Sequence, residues 1–90
     1  MSGSTFYKRA VELMEAELGD DIVALEPRAG KCFGFNEVAA TVWRQLEQPR
    51  DFEQLKNSLM EEYQVDEDQC ARDLAELLVD MTAKGLISSS

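Results

Sequence analysis

The sequence predicts an α+β fold in which a three-stranded antiparallel sheet is followed by three helices, and three observations carry that reading. In Lys31-Cys32-Phe33-Gly34-Phe35-Asn36 a short alternating pattern stops and a helical one begins, with both phenylalanine rings on one face of a strand. Before it, Gly19-Asp20 and Pro27-Arg28-Ala29-Gly30 punctuate the chain as turns. After it, Asn36, Asp51 and Asp66 each stand at the head of an apolar run with helical spacing, as N-caps do.

Taken in order, residues 1–10 read as a flexible N-terminus, residues 11–87 as a single domain and residues 88–90 as a tail. Met14, Ala16 and Leu18 alternate against Leu13, Glu15 and Glu17, although several of these are good helix formers. The turn Gly19-Asp20 leads at once into the β-branched run Ile22-Val23-Ala24-Leu25, so a hairpin is the economical reading. Lys31 to Phe35 returns as the third strand, with its rings turned inward. Gly34 lies between them, either relieving crowding or marking a bulge or a close backbone approach.

Asn36 caps a first helix carrying Val38, Ala39, Val42, Trp43 and Leu46 up to the Gln48-Pro49 break, with Trp43 as a core filler. Asp51 with Gln54 resembles a capping box, ahead of Phe52, Leu55, Leu59 and Tyr63 on the buried face of a second helix. Asp66 with Gln69 repeats the device, and Val65 can staple onto Cys70. The third helix carries Cys70, Leu74, Leu77, Leu78 and Met81, and Lys84-Gly85-Leu86 closes it with a glycine. Ala71, Ala75 and Val79 broaden its stripe into a flank of mostly small residues, suited to a groove wall or to close helix packing.

A formal charge of −9 with scattered basic residues argues against a nucleic-acid binder, which needs a basic face for the phosphates. The acids Glu61-Glu62 and Asp66-Glu67-Asp68 suit solvated helix ends, and the surplus fits a basic partner. Cys32 and Cys70 without any histidine make a zinc site improbable, and both read as small buried apolar groups. No apolar run approaches the roughly 18 residues of a membrane span, and no secretory signal pattern is present, so a cytoplasmic protein is expected. No nucleophile and base can be assembled, no phosphate loop follows Gly30-Lys31, and the acids lack calcium-loop spacing. No cofactor and no catalysis are expected.

A sheet followed by three helices suggests a winged-helix-like domain, whose common trade is DNA binding. Charge opposes that use, because the turn Gln64-Val65-Asp66-Glu67-Asp68 would thrust carboxylates at phosphates.

Four pieces resemble the PqqD-like family of peptide-recognition domains for ribosomally made, post-translationally modified peptides. They are Gly30 to Asn36, Ala39-Ala40-Thr41-Val42-Trp43 with Leu46, Phe52-Glu53-Gln54-Leu55, and Asp73-Leu74 through Leu77-Leu78 to Lys84-Gly85-Leu86. The likeness runs from about Leu18 to Ile87. The resemblance implies a non-catalytic domain that binds the leader of a precursor peptide as an extra strand. The leader would lie along Lys31, Cys32, Phe33, Gly34 and Phe35 and over the Ala71, Leu74, Ala75, Leu78 flank. The strand end Phe33-Gly34-Phe35-Asn36 followed by Ala39-Ala40-Thr41-Val42-Trp43 is closer to the discrete domains of lasso-peptide pathways, whose partners are a leader peptidase and a cyclase, than to the pyrroloquinoline quinone chaperone of a radical enzyme. Cys32 departs from the family, which often has an aromatic residue there. The competing readings are an acidic winged-helix regulator of protein or DNA, and a dimer joined edge to edge through the third strands.

Overall fold

A computed structural model describes residues 5–90 as two small antiparallel sheets and three helices. The elements run β1 (Phe6–Arg9), β2 (Met14–Leu18), β3 (Asp21–Glu26), β4 (Lys31–Phe35), α1 (Glu37–Gln45), β5 (Arg50–Asp51), α2 (Phe52–Glu62), α3 (Glu67–Ala83) and β6 (Ile87–Ser89). The expected meander is the sheet β2-β3-β4, and the expected helices follow it in winged-helix-like order.

The meander closes through Leu18↔Asp21 around Gly19-Asp20 and through Glu26↔Lys31 around the second turn. In the second turn the Glu26 carboxylate accepts from the backbone N–H of Arg28 and Ala29 at 2.9 and 2.7 Å, which fixes the loop without help from the core. Alternation then buries Ile22, Ala24 and Phe35 and half-buries Phe33. The same alternation turns Cys32 outward, so it is exposed rather than buried; only Cys70 is the core thiol expected. The register passes through Val23↔Gly34 with no extra residue, so Gly34 marks no bulge.

The second sheet, ordered β5-β1-β6, was not expected. It takes in residues 6–9, which the sequence reading gave to the N-terminal segment, and residues 88–89, which it gave to the tail; residues 1–4 lie outside the described part. Its pairs, Tyr7↔Arg50 and Tyr7↔Ser89 among them, join segments far apart in sequence, so no local turn announces them. What fixes β1 is its inward side. Tyr7 packs on the core, and the Arg9 guanidinium lies 4.3 Å from the centre of the Trp43 ring while donating to the Trp43 carbonyl at 2.6 Å.

Each helix begins on a capping side chain. Asn36 Oδ1 accepts from Ala39 N–H at 2.9 Å at the head of α1. At α2 the capping box is complete, with Gln54 N–H to Asp51 at 2.8 Å and Asp51 N–H to Gln54 at 2.9 Å. At α3 only half of the device forms: Asp66 caps Gln69 N–H, but the Gln69 amide turns along the helix to Asp73 at 2.8 Å. The α3 end is a glycine-closed one. Gly85 takes φ +75°, its N–H reaches Thr82 O, and Leu86 N–H reaches Met81 O, both at 3.0 Å. Leu86 is thereby driven into the core, which centres on Trp43, Leu46, Leu55, Leu74 and Met81.

Candidate functional site

β4 is an edge strand: it pairs with β3 on one side and has no strand on the other among the described residues. Alternate N–H and C=O groups on that free side are unpaired, a template for another extended chain. Beside it runs a groove of about 400 Å³. Cys32 to Asn36 form its strand side, Leu77, Asp80, Met81 and Lys84 its helix side, and Ala39 and Leu86 contribute at its base. The groove exists because α3 packs on α2 and on β6 rather than closely on β4, leaving the strand edge and the helix facing each other.

Of the residues expected to contact a leader, those of the strand border this groove and those of the helix lie elsewhere. Cys32, Phe33, Gly34 and Phe35 line the groove, and Lys31 stands exposed at the start of the strand. Leu74 and Leu78 are instead core residues at 1% and 2% exposure. Ala75 and Leu78 line a different cleft, with Tyr7, Phe52 and Val79, and Ala71 is half-buried away from the groove. The wall that faces β4 is one step around the helix, at Leu77, Met81 and Lys84. That spacing of i, i+4, i+7 was visible in the sequence, but Leu77 and Met81 read there as part of the core stripe.

Phe35 anchors the strand at the core, its ring 5.4 Å from that of Trp43 at a tilt of 30°. Phe33 is half-buried and supplies apolar surface to the groove. Gly34 has no heavy atom within 4 Å of where a Cβ would stand, so no close contact in the structure requires a glycine there. At the rim Asp80 and Lys84 form an ion pair at 2.9 Å with both side chains about half exposed, a contact that contributes little to stability and is free to reorient toward a guest. The groove thus offers backbone hydrogen bonding along one side and an apolar, charge-rimmed helix surface along the other. Among the described residues no group of three or more metal-ligating side chains is assembled.

A smaller cleft of about 130 Å³ lies near the start of α3, lined by Val38, Leu59, Tyr63, Val65, Cys70 and Leu74 among others. It places the expected staple partners Val65 and Cys70 against one apolar space. Burial pushes the Cys70 thiol and the Tyr63 phenol above their usual pKa values, so neither is poised to ionise near neutrality.

Comparison with known proteins gives the following. No curated protein sequence matches the chain. Two solved structures share the fold. TbiB1 in complex with the TbiA(beta) leader peptide is 28% identical, covers 90% of this chain and 94% of its own, and superposes with a TM-score of 0.78. Lasso peptide synthetase B1 complexed with the leader peptide is 23% identical over 91% of this chain and 96% of its own, with a TM-score of 0.76. Residues 21–87 match the family model described as Coenzyme PQQ synthesis protein D (PqqD). That span takes in β3, β4, all three helices and the start of β6, and the chain belongs to the PqqD family.

Proposed function

We propose that this protein binds the leader region of a ribosomally made precursor peptide in the β4–α3 groove and presents it to modifying enzymes, without catalysing a reaction itself. The observation that carries the reading is the free edge of β4 facing an apolar wall on α3. A leader entering as a fourth strand satisfies the outward groups of β4, and its alternate side chains meet Leu77 and Met81. Five residues of strand cover about 16 Å at roughly 3.3 Å each, so the contacted core of the leader is short. Lys31, Cys32, Phe33, Gly34 and Phe35 contribute as strand, and the helix contribution comes from Leu77, Met81 and Lys84 in place of Ala71, Leu74, Ala75 and Leu78.

Both solved structures of the same fold hold leader peptides, which supports a leader as the ligand, and one of them is a lasso peptide protein. A lasso-peptide pathway, with a leader peptidase and a cyclase as the enzymes served, is accordingly the first reading. The family description favours a second, a chaperone that hands a precursor to a radical enzyme of quinone biosynthesis. Either role belongs in the cytoplasm, where the precursor is made. The charge of −9 speaks against DNA as the ligand in both cases.

An amide NMR titration with synthetic leader peptides, taken from precursor genes neighbouring the gene for this chain, tests the reading. Shifts concentrated over residues 31–36 and 77–84 are expected. Absence of saturable shifts with every such leader, beside saturable shifts with a DNA duplex, would overturn it.

A further inference from the structure

At the head of α3, Val65 and Cys70 flank the cap Asp66 in the positions of a hydrophobic staple, which ordinarily closes one side chain on the other. Here the staple stays open. Cys70 is buried, Val65 remains 44% exposed, and both line the cleft of about 130 Å³ near the start of α3. Val38 reaches the same cleft from α1 and is 38% exposed, while Leu59 and Leu74 complete its apolar lining from the core.

Size and chemistry select what fills it. The space equals roughly four waters of about 30 Å³ each. That is room for one branched aliphatic side chain, and it is well below the roughly 300–1,000 Å³ of small-molecule sites. Water is a poor occupant, because the polar groups of the wall are engaged elsewhere. The Tyr63 hydroxyl lies 3.1 Å from Thr41 Oγ1, the Cys70 thiol points to the Lys56 carbonyl at 3.9 Å, and Asp73 accepts from the Gln69 side-chain amide at 2.8 Å.

Carboxylates border the opening. Asp73 lines it, Glu37 and Asp66 are the chain neighbours of Val38 and Val65, and Glu62 Oε2 lies 3.1 Å from the same Thr41 hydroxyl that meets Tyr63. Among the described residues none of these carboxylates is in a salt bridge. The Lys56 ammonium is committed to Glu67 and Glu53 at 2.7 and 3.3 Å, and Arg72 turns to Gln69 at 3.2 Å.

We infer that this cleft docks a partner protein that inserts one leucine-sized aliphatic side chain flanked by lysine or arginine. The anchor fills the open staple, and the flanking cations meet carboxylates that retain free acceptor capacity. A second copy of the chain does not offer such a segment. None of its exposed aliphatic side chains, Met14, Leu18, Val23, Val38, Val65 and Val79, has a lysine or arginine as chain neighbour. The cleft shares no lining residue with the β4 groove, so the inference goes beyond leader binding and stands whether or not the groove holds a leader.

The test is an amide NMR titration of the whole chain with three amidated peptides, Lys-Arg-Leu-Arg-Lys, Lys-Arg-Ala-Arg-Lys and Glu-Asp-Leu-Asp-Glu. Wild type, Val38→Gln and Asp73→Asn are compared after thermal melts show that each is folded. For the basic leucine peptide, saturable shifts are expected over residues 38, 63–65 and 70–74, with the alanine peptide about tenfold weaker. Val38→Gln is expected to bring the two basic peptides within about threefold of each other, and Asp73→Asn to weaken both by about twofold. Equal binding of the leucine and alanine peptides, or binding of the acidic peptide as tight as that of the basic one, overturns the inference. So does the lack of any saturable shift up to about 5 mM peptide. Shifts confined to residues 31–36 and 77–84, or displacement of the peptide by a synthetic leader from the neighbouring precursor gene, would assign the peptide to the leader site. Either result overturns this inference and leaves leader binding standing. Cleft shifts that arise on concentrating the protein alone would assign the cleft to a second copy and overturn it as well.

Discussion

Trp43 Nε1 donates to Glu15 Oε2 at 2.7 Å, which ties the centre of the core to the first strand of the meander. The indole is fully buried, while the carboxylate is partly exposed and also lies 3.9 Å from Arg9. Arg9 in turn covers the Trp43 ring and donates to its carbonyl, and Phe35 packs on the ring from β4. One tryptophan thus joins the second sheet, the meander and the groove strand. Glu15→Ala leaves a buried indole N–H unpaired and should cost about 1–2 kcal/mol of stability. Glu15→Gln, which keeps an acceptor, should recover most of the loss in urea unfolding. An alanine variant as stable as wild type would mean that the bond is incidental.

Gly34 bears on a different question, whether the groove strand needs a missing side chain. Its Cβ direction is perpendicular to the sheet, on the exposed face beside Val23, and a Cβ there meets nothing within 4 Å. A guest strand approaches in the plane of the sheet, so the added methyl does not stand in its way. Gly34→Ala is therefore expected to raise stability by about 0.5 kcal/mol, through a less flexible unfolded chain, with leader affinity unchanged. A clear loss of affinity in calorimetric titration would show that the guest backbone crosses over Gly34 after all.

The meander and the three helices were legible because each is announced locally, by two turns and by Asn36, Asp51 and Asp66 at the helix starts. The second sheet was not, because β1 finds its partners at Arg50–Asp51 and Ile87–Ser89, and pairing over such distances leaves no periodic trace in strands so short. Half of the groove was legible for the same local reason: alternation alone places Phe33 and Phe35. The helix side of the groove lies one step of rotation from the flank singled out in the sequence. Leu74, Leu77, Leu78 and Met81 are all apolar, and only the packing of α3 on α2 decides that Leu74 and Leu78 go to the core while Leu77 faces the groove. Parity also carried a message that was missed, since inward rings at 33 and 35 already require an outward Cys32.

Alkaline pH should destabilise the protein, by an argument of sign. Burial raises the pKa of the Cys70 thiol above its usual 9.0 and that of the Tyr63 phenol above its usual 10.0. The hydrogen bond from Lys56 Nζ to Glu67, at 2.7 Å, raises the ammonium above its usual 10.5, with Glu53 at 3.3 Å adding to it. In all three the native state keeps a proton that the unfolded chain has already lost, so each contribution is complete below the usual value and disappears as pH rises through the folded one. Thermal melts should show Tm falling as pH climbs past 9.0, first through the thiol. Lys56→Met should be less stable at neutral pH and show a shallower alkaline decline. A Tm that is level across this range would contradict the protonation states inferred from the packing.

The groove wall is decided by comparing two positions on α3 that differ by half a turn. Leu77 is half-buried and faces β4, whereas Ala75 is exposed and faces the cleft formed with Tyr7 and Phe52. Truncating Leu77 to alanine removes apolar surface that the leader side chains would cover, and the loss of about 1–2 kcal/mol in binding corresponds to roughly a tenfold weaker complex. Because Leu77 also touches the core, leader affinity is compared at a temperature well below the variant's own Tm. Ala75→Glu introduces a charge at an exposed site outside the groove and should leave affinity within about twofold. The opposite outcome, an Ala75→Glu variant that no longer binds beside a Leu77→Ala variant that does, would move the leader to the Tyr7 and Phe52 cleft. It would detach the leader from the free edge of β4 and seat it beside β6, the edge strand of the other sheet, whose Ser89 lines that cleft.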